Sequence, residues 1–265
     1  MLRRFARLLF VARTLRTKPG RWPSAWRLLQ TPRFQPGATS LCGSELRFVD
    51  AATFLSAYSA IFGQDIFRFQ ADQPFPYFLD CGANIGLSVL YLKQRHPNST
   101  VVAFEPDPSI FQVLQENVHR LNLQNVELRN QAIWDSEGEM AFYSEGSDSG
   151  RLLTSGDVSL RTIKVPTVSL RDLLDRQVDF LKIDIEGAET QVLVNCSDRL
   201  HQVKRLFVEY HSYAGQQQTL HILVSTLINA GFRLLIDGST PPYPFLQQFP
   251  SGSLDMLLNI FAYRP

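Results

Sequence analysis

The residues of this chain that could do chemistry fall into a few short clusters. Asp80-Cys81-Gly82-Ala83-Asn84-Ile85-Gly86 has two glycines four positions apart, which let a backbone turn sharply and approach a ligand. Asp80 can meet an ammonium group, and Asn84 offers both a donor and an acceptor. The G-x-N-x-G spacing is not the G-x-G-x-x-G of dinucleotide binders and gives a pyrophosphate no obvious seat, which disfavours an NAD-dependent oxidoreductase. Glu105 follows about twenty residues later, the interval at which an acid accepts hydrogen bonds from ribose hydroxyls. Pro106 stiffens the turn behind it. An amino-acid end on one side and a ribose on the other describe S-adenosylmethionine.

Two further apolar runs end in ionisable residues. Lys182, Asp184 and Glu186 close one, and Glu209 and His211 close the next. Side chains alternate along a strand, so Lys182 shares a face with Asp184, and Glu209 with His211. A carboxylate beside an imidazole orients a base that can remove a hydroxyl proton. The expectation is His211 as base, Glu209 orienting it, and Asp184 or Glu186 holding the acceptor hydroxyl. The bland alternatives are an ion pair under the pocket and a hydrogen-bonded histidine at a strand end. Asp, Glu and His together also suit a divalent cation. Transfer of an activated methyl group requires none, and no metal is expected.

Elements must bring these residues together. From residue 75 the chain alternates short apolar runs with amphipathic stretches. Strands are expected near 77–79, 100–104, 126–133, 178–185, 203–210, 232–236 and 256–263, with helices over 85–95, 188–200 and 219–230. Asp107-Pro108 opens another helix, with Asp as N-cap and Pro at the first helical position. Extended pieces at 139–143 and 162–168 flank a Gly/Ser-rich loop, 144–156, that would suit a lid. This rhythm predicts an α/β fold with a mostly parallel sheet, helices on both faces and an antiparallel last strand. In such sheets ligands bind beyond the carboxyl ends of the strands, where all the clusters above lie.

With the motifs placed, a resemblance becomes specific. Asp80 to Gly86, Phe104-Glu105-Pro106 and Leu181-Lys182-Ile183-Asp184-Ile185-Glu186-Gly187-Ala188-Glu189 resemble, in this order, the blocks of FkbM-type methyltransferases over roughly residues 75–212. The resemblance implies a class I, Rossmann-like methyltransferase fold and S-adenosylmethionine as donor. It also implies a hydroxyl acceptor on a sugar, glycan or secondary metabolite. Carried over by position, Asp80, Gly82, Asn84, Gly86 and Glu105 would bind the cofactor, and Gln131 and Ala132 would sit by its adenine. Arg171 departs from the pattern where the family has an acid. A non-catalytic cofactor-binding module of the same fold is the remaining alternative.

Composition sets the bounds. The 265 residues are 45% hydrophobic and 19% charged, ordinary for a globular domain. Nine of the 26 Lys and Arg residues precede the first acid, Glu45, leaving 17 against 25 acids. Residues 1–45 therefore read as a basic arm broken by Gly and Pro, and 46–265 as one methyltransferase domain with a helical lead-in, 46–74. The acidic body argues against a nucleic-acid partner, while the arm could touch an anionic membrane peripherally. Three scattered cysteines form no CxxC pair, which points to a reducing, cytoplasmic setting. The chain gives no oligomeric state.

Overall fold

The computed structural model describes residues 22–40, 45–143, 150–152, 162–238, 245 and 247–264. Residues 1–21 of the basic arm expected to touch a membrane, and most of the expected lid at 144–156, lie outside them.

Seven strands form the central sheet, in the spatial order β12-β13-β11-β10-β3-β4-β5. They are β3 (Tyr77–Cys81), β4 (Thr100–Phe104), β5 (Val126–Arg129), β10 (Phe180–Ile183), β11 (Arg205–Tyr213), β12 (Arg233–Gly238) and β13 (Leu254–Tyr263). Pairing from β5 through β11 is parallel, and β13 runs antiparallel between β11 and β12. This is the expected mostly parallel sheet with an antiparallel last strand. The central strands are buried on both faces, so their sequences are nearly continuous apolar runs rather than alternating ones. Phe78, Val101, Ala103, Phe180 and Phe207 point to one face, and Leu79, Val102, Phe104, Leu181 and Val208 to the other.

Helices cover both faces. On the first lie α1 (Trp22–Gln30), α2 (Ala51–Tyr58), α3 (Leu87–Arg95) and α4 (Pro108–Arg120). Asp107 caps α4 as its sequence predicts, accepting from the Ser109 and Ile110 amides. On the second face lie α5 (Leu170–Leu173), α6 (Glu189–Asn195) and α7 (Leu220–Asn229). A two-stranded pair, β1 (Gly37–Thr39) with β2 (Leu46–Phe48), joins α1 to α2. Asn117 of α4 donates to the carbonyls of Arg47 and Ile85 and accepts from the Arg47 amide, tying β2 to the glycine turn.

Three expectations change. The strand expected over 126–133 is two strands in different sheets. Asn130 donates to the carbonyls of Glu105 and Pro106, which turns the chain out of the central sheet after Arg129. The continuation, β6 (Ala132–Trp134), pairs with β9 (Thr162–Ser169) in a second sheet of order β6-β9-β7-β8, with β7 (Gly138–Tyr143) and β8 (Arg151–Leu152). The helical lead-in is shorter than expected: 46–48 is strand, and α2 ends in a π-helical turn, Ser59–Gly63. The described part of the basic arm belongs to the domain, because α1 buries Ala25 and Leu28 in the first core.

Candidate active site

Beyond the carboxyl ends of β3, β4 and β10 the chain forms a cavity whose lining includes Gly82, Ala83, Asn84, Glu105, Gln131 and Ala132. The turn after β3 is held by its own protein. The Gly82 and Ala83 amides donate to the Phe104 carbonyl at 3.0 and 2.8 Å. Gly82, Asn84 and Gly86 all have positive φ, +87°, +49° and +93°. A Cβ on Gly82 would lie 1.8 Å from the Asp184 carbonyl oxygen, and one on Gly86 2.7 Å from Leu114 Cδ1. Contacts inside the fold therefore require both glycines.

Glu105 ties the two sides of the cavity together. Its Oε2 accepts the Asn84 amide and its Oε1 the Asp107 amide, each at 2.9 Å. Burial, outweighing these bonds, pushes its carboxyl up to about 8. Each oxygen keeps a lone pair for a further donor, so the carboxyl fits a ribose diol. Asp80 and Gly86, also expected to bind the cofactor, stand behind the lining. Asp80 is fully buried, accepts from Ser88 Oγ and lies 3.5 Å from Lys182 Nζ. Lys182 bonds the Gly82 carbonyl at 2.8 Å and Asp184 Oδ2 at 3.1 Å. Asp80 and Lys182 are thus a buried ion pair under the turn. Trp134, close to Gln131 and Ala132 in sequence, packs in the second core.

The same cavity is lined by the acids Asp184, Glu186 and Glu209 and by the apolar residues Ala57, Ile61, Phe67 and Phe207. Burial pushes Glu186 up to about 7 and Glu209 up to about 8. His211 is brought to this cluster but does not line the cavity. Its Nδ1 meets Glu189 Oε1 at 3.2 Å, whereas Glu209 Oε2 is 3.7 Å from Nε2. Glu189, not Glu209, therefore orients the ring. Burial disfavours the imidazolium, but Glu189 and the other carboxylates outweigh it and push the ring up to about 10. The carboxylates around the ring thus favour its charged form.

Sequence reasoning missed Glu189 and Tyr213. Glu189 sits in the first turn of α6 and its Oε1 accepts the Gly187 and Ile185 amides. An acid just inside a helix start is a known signal for such reach-back bonds. Tyr213 donates to Glu186 Oε2 at 2.9 Å, and no motif marks it.

Known proteins bear on this site. Residues 80–234 match the family model described as the methyltransferase FkbM domain. Methyltransferase 1 of Beauveria bassiana is 30% identical over 152 residues, 47% of this chain and 61% of that protein, so the match spans less than two thirds of its length. The 31-O-demethyl-FK506 methyltransferase FkbM of Streptomyces tacrolimicus is 26% identical, covering 62% of this chain and 75% of that one. The 2-O-methyltransferase NoeI of Sinorhizobium fredii is 24% identical, covering 68% and 77%. The family match takes in the glycine turn, Glu105 and the acidic cluster together, and the chain belongs to the FkbM methyltransferase family.

Proposed function

We propose that this methyltransferase moves a methyl group from S-adenosylmethionine to a hydroxyl of a sugar, glycan or secondary metabolite. The observation that carries the reading is one shared cavity. A ribose-sized anchor at Glu105 and an acidic cluster of Asp184, Glu186 and Glu209 line the same space. S-adenosylmethionine is the donor, and it supplies a methyl carbon already activated by a sulfonium. Two relatives named for O-methylation support an oxygen acceptor.

In this reading Glu105 accepts the ribose hydroxyls, Gln131 and Ala132 flank the adenine, and Asn84 meets the amino-acid end. Gly82 and Gly86 shape the turn, with Asp80 and Lys182 fixing it from below. Because the donor is activated, the protein's main tasks are to align the acceptor oxygen and remove its proton. Asp184 is tied to Lys182 and Glu186 to Tyr213. Glu209, which lines the cavity, takes the proton, and His211 positions the acids from behind. The apolar part of the lining receives the hydrocarbon part of the acceptor.

A transfer assay with methyl-labelled S-adenosylmethionine over monosaccharides, glycans and hydroxylated metabolites tests this. The expected product is a labelled ether whose methyl survives alkali. Label lost in mild alkali would mean a methyl ester, and label on nitrogen an amine acceptor; either would overturn the oxygen assignment.

A further inference from the structure

We infer that Asp184, Glu186 and His211 form a site for one divalent cation of the Mg2+ or Mn2+ kind, placed to hold the acceptor's hydroxyl oxygen. One ligand atom from each of these three side chains lies within 4.8 Å of the others. That spacing lets three donors share one ion after small side-chain adjustments. The acids come from the end of β10 and the histidine from β11, so the fold itself creates the cluster.

The histidine carries the second, independent part of the case. Its side chain is 4% exposed, and Nδ1 is engaged by Glu189. Glu189 is in turn fixed by two backbone amides. A carboxylate that holds one imidazole nitrogen fixes the tautomer and aims the other nitrogen's lone pair, the arrangement found behind metal-ligating histidines. Here that other nitrogen, Nε2, points among carboxylates. It lies 3.5 Å from Glu186 Oε2 and 3.7 Å from Glu209 Oε2, both long for a good hydrogen bond. A divalent cation that displaces the Nε2 proton would take the place of that positive charge among the same carboxylates.

The donor set narrows the ion. Two carboxylates and one imidazole suit Mn2+ and Mg2+, which keep further positions for water or substrate oxygens. Lys182 and Tyr213 each bond one of the ligand acids and fix its orientation. Asp184 and Glu186 line the cavity, so the open positions face the acceptor. There a cation polarises the hydroxyl. The acceptor O–H bond then breaks with its proton passing to Glu209. The oxygen's electron pair forms the new O–CH3 bond, and the methyl–sulfur bond breaks with its pair leaving on sulfur. This role rests on the methyltransferase reading; the binding of the cation does not.

The test is a titration of the full chain, stripped with a chelator, with Mn2+ followed by electron paramagnetic resonance. S-adenosylhomocysteine is titrated calorimetrically into the same samples. One Mn2+ per chain is expected, displaceable by Mg2+. His211→Ala and the near-isosteric Glu186→Gln should each raise the Mn2+ Kd by about 10- to 100-fold, with S-adenosylhomocysteine affinity kept as proof of folding. No stoichiometric Mn2+ in wild type, or unchanged Mn2+ affinity in both folded variants, would overturn the site. Loss of S-adenosylhomocysteine binding by wild type would instead sink the methyltransferase reading.

Discussion

Glu105 shows how one side chain serves structure and ligand together. Its two oxygens hold the amides of Asn84 and Asp107, and the residue lines the cavity. Glu105→Ala should weaken S-adenosylhomocysteine binding about 10- to 100-fold, the loss of its hydrogen bonds to the ribose diol, as read by calorimetry. Glu209→Gln should leave that affinity unchanged and lower kcat by about 10²- to 10⁴-fold, the usual contribution of a general base. An unchanged kcat where chemistry limits the rate would remove Glu209 from the mechanism. Residues whose chemistry depends on position along a strand were legible in the sequence: Glu105, Asp184, Glu186 and Glu209 all reach the cavity. His211 was legible as part of the cluster but not in its partner, because Glu189 comes from the helix packed against the strand and not from the strand itself.

At the scale of elements, the site depends on how closely β3 and β10 approach at their carboxyl ends. Gly82→Ala and Gly252→Ala make a controlled pair. Both positions have positive φ, at a cost of roughly 1–2 kcal/mol for a side chain. Only at Gly82 would the new Cβ meet backbone, whereas nothing lies within 4 Å at Gly252. Gly82→Ala should therefore lower the melting temperature clearly more, by an overpacking penalty of about 1–3 kcal/mol; equal melting of the two variants would contradict the packing described. The start of α2 gives a pH signature. Burial opposes the charge on Asp50, but the amides of Phe34 and Thr53 and the Arg33 guanidinium hold its pKa below the ordinary 3.8. A depressed folded pKa means stability that is present above the unfolded value and lost as pH falls through the folded one. Asp50→Asn should cost about 1–2 kcal/mol at neutral pH and reduce the loss of stability on acidification below pH about 4, as measured by denaturant melts at several pH values. Alternation of apolar runs was enough to place the sheet's strands. It could not show that 126–133 divides between two sheets, because the divider is a side-chain amide, Asn130, bonding carbonyls after β4.

At the scale of the whole molecule, a sheet with helices on both faces gathers the carboxyl ends of β3, β4, β10 and β11 at one edge, and each delivers part of the cavity. The sequence contained this arrangement in its βα rhythm. It did not show where the domain begins. The basic arm looked separate by charge, yet α1 buries Ala25 and Leu28, and Arg33 and Phe34 bond Asp50 at the start of α2. Charge patterning reports the surface of such a segment and says little about the apolar stripe beneath it. The same sheet edge in a nicotinamide enzyme would hold a pyrophosphate over a third glycine, which this turn lacks. The most direct test is therefore a pair of calorimetric titrations of the full chain, one with S-adenosylhomocysteine and one with NADH. The account predicts saturable one-to-one binding of S-adenosylhomocysteine and no heat with NADH; binding of NADH, or no binding of S-adenosylhomocysteine by the folded protein, would contradict it.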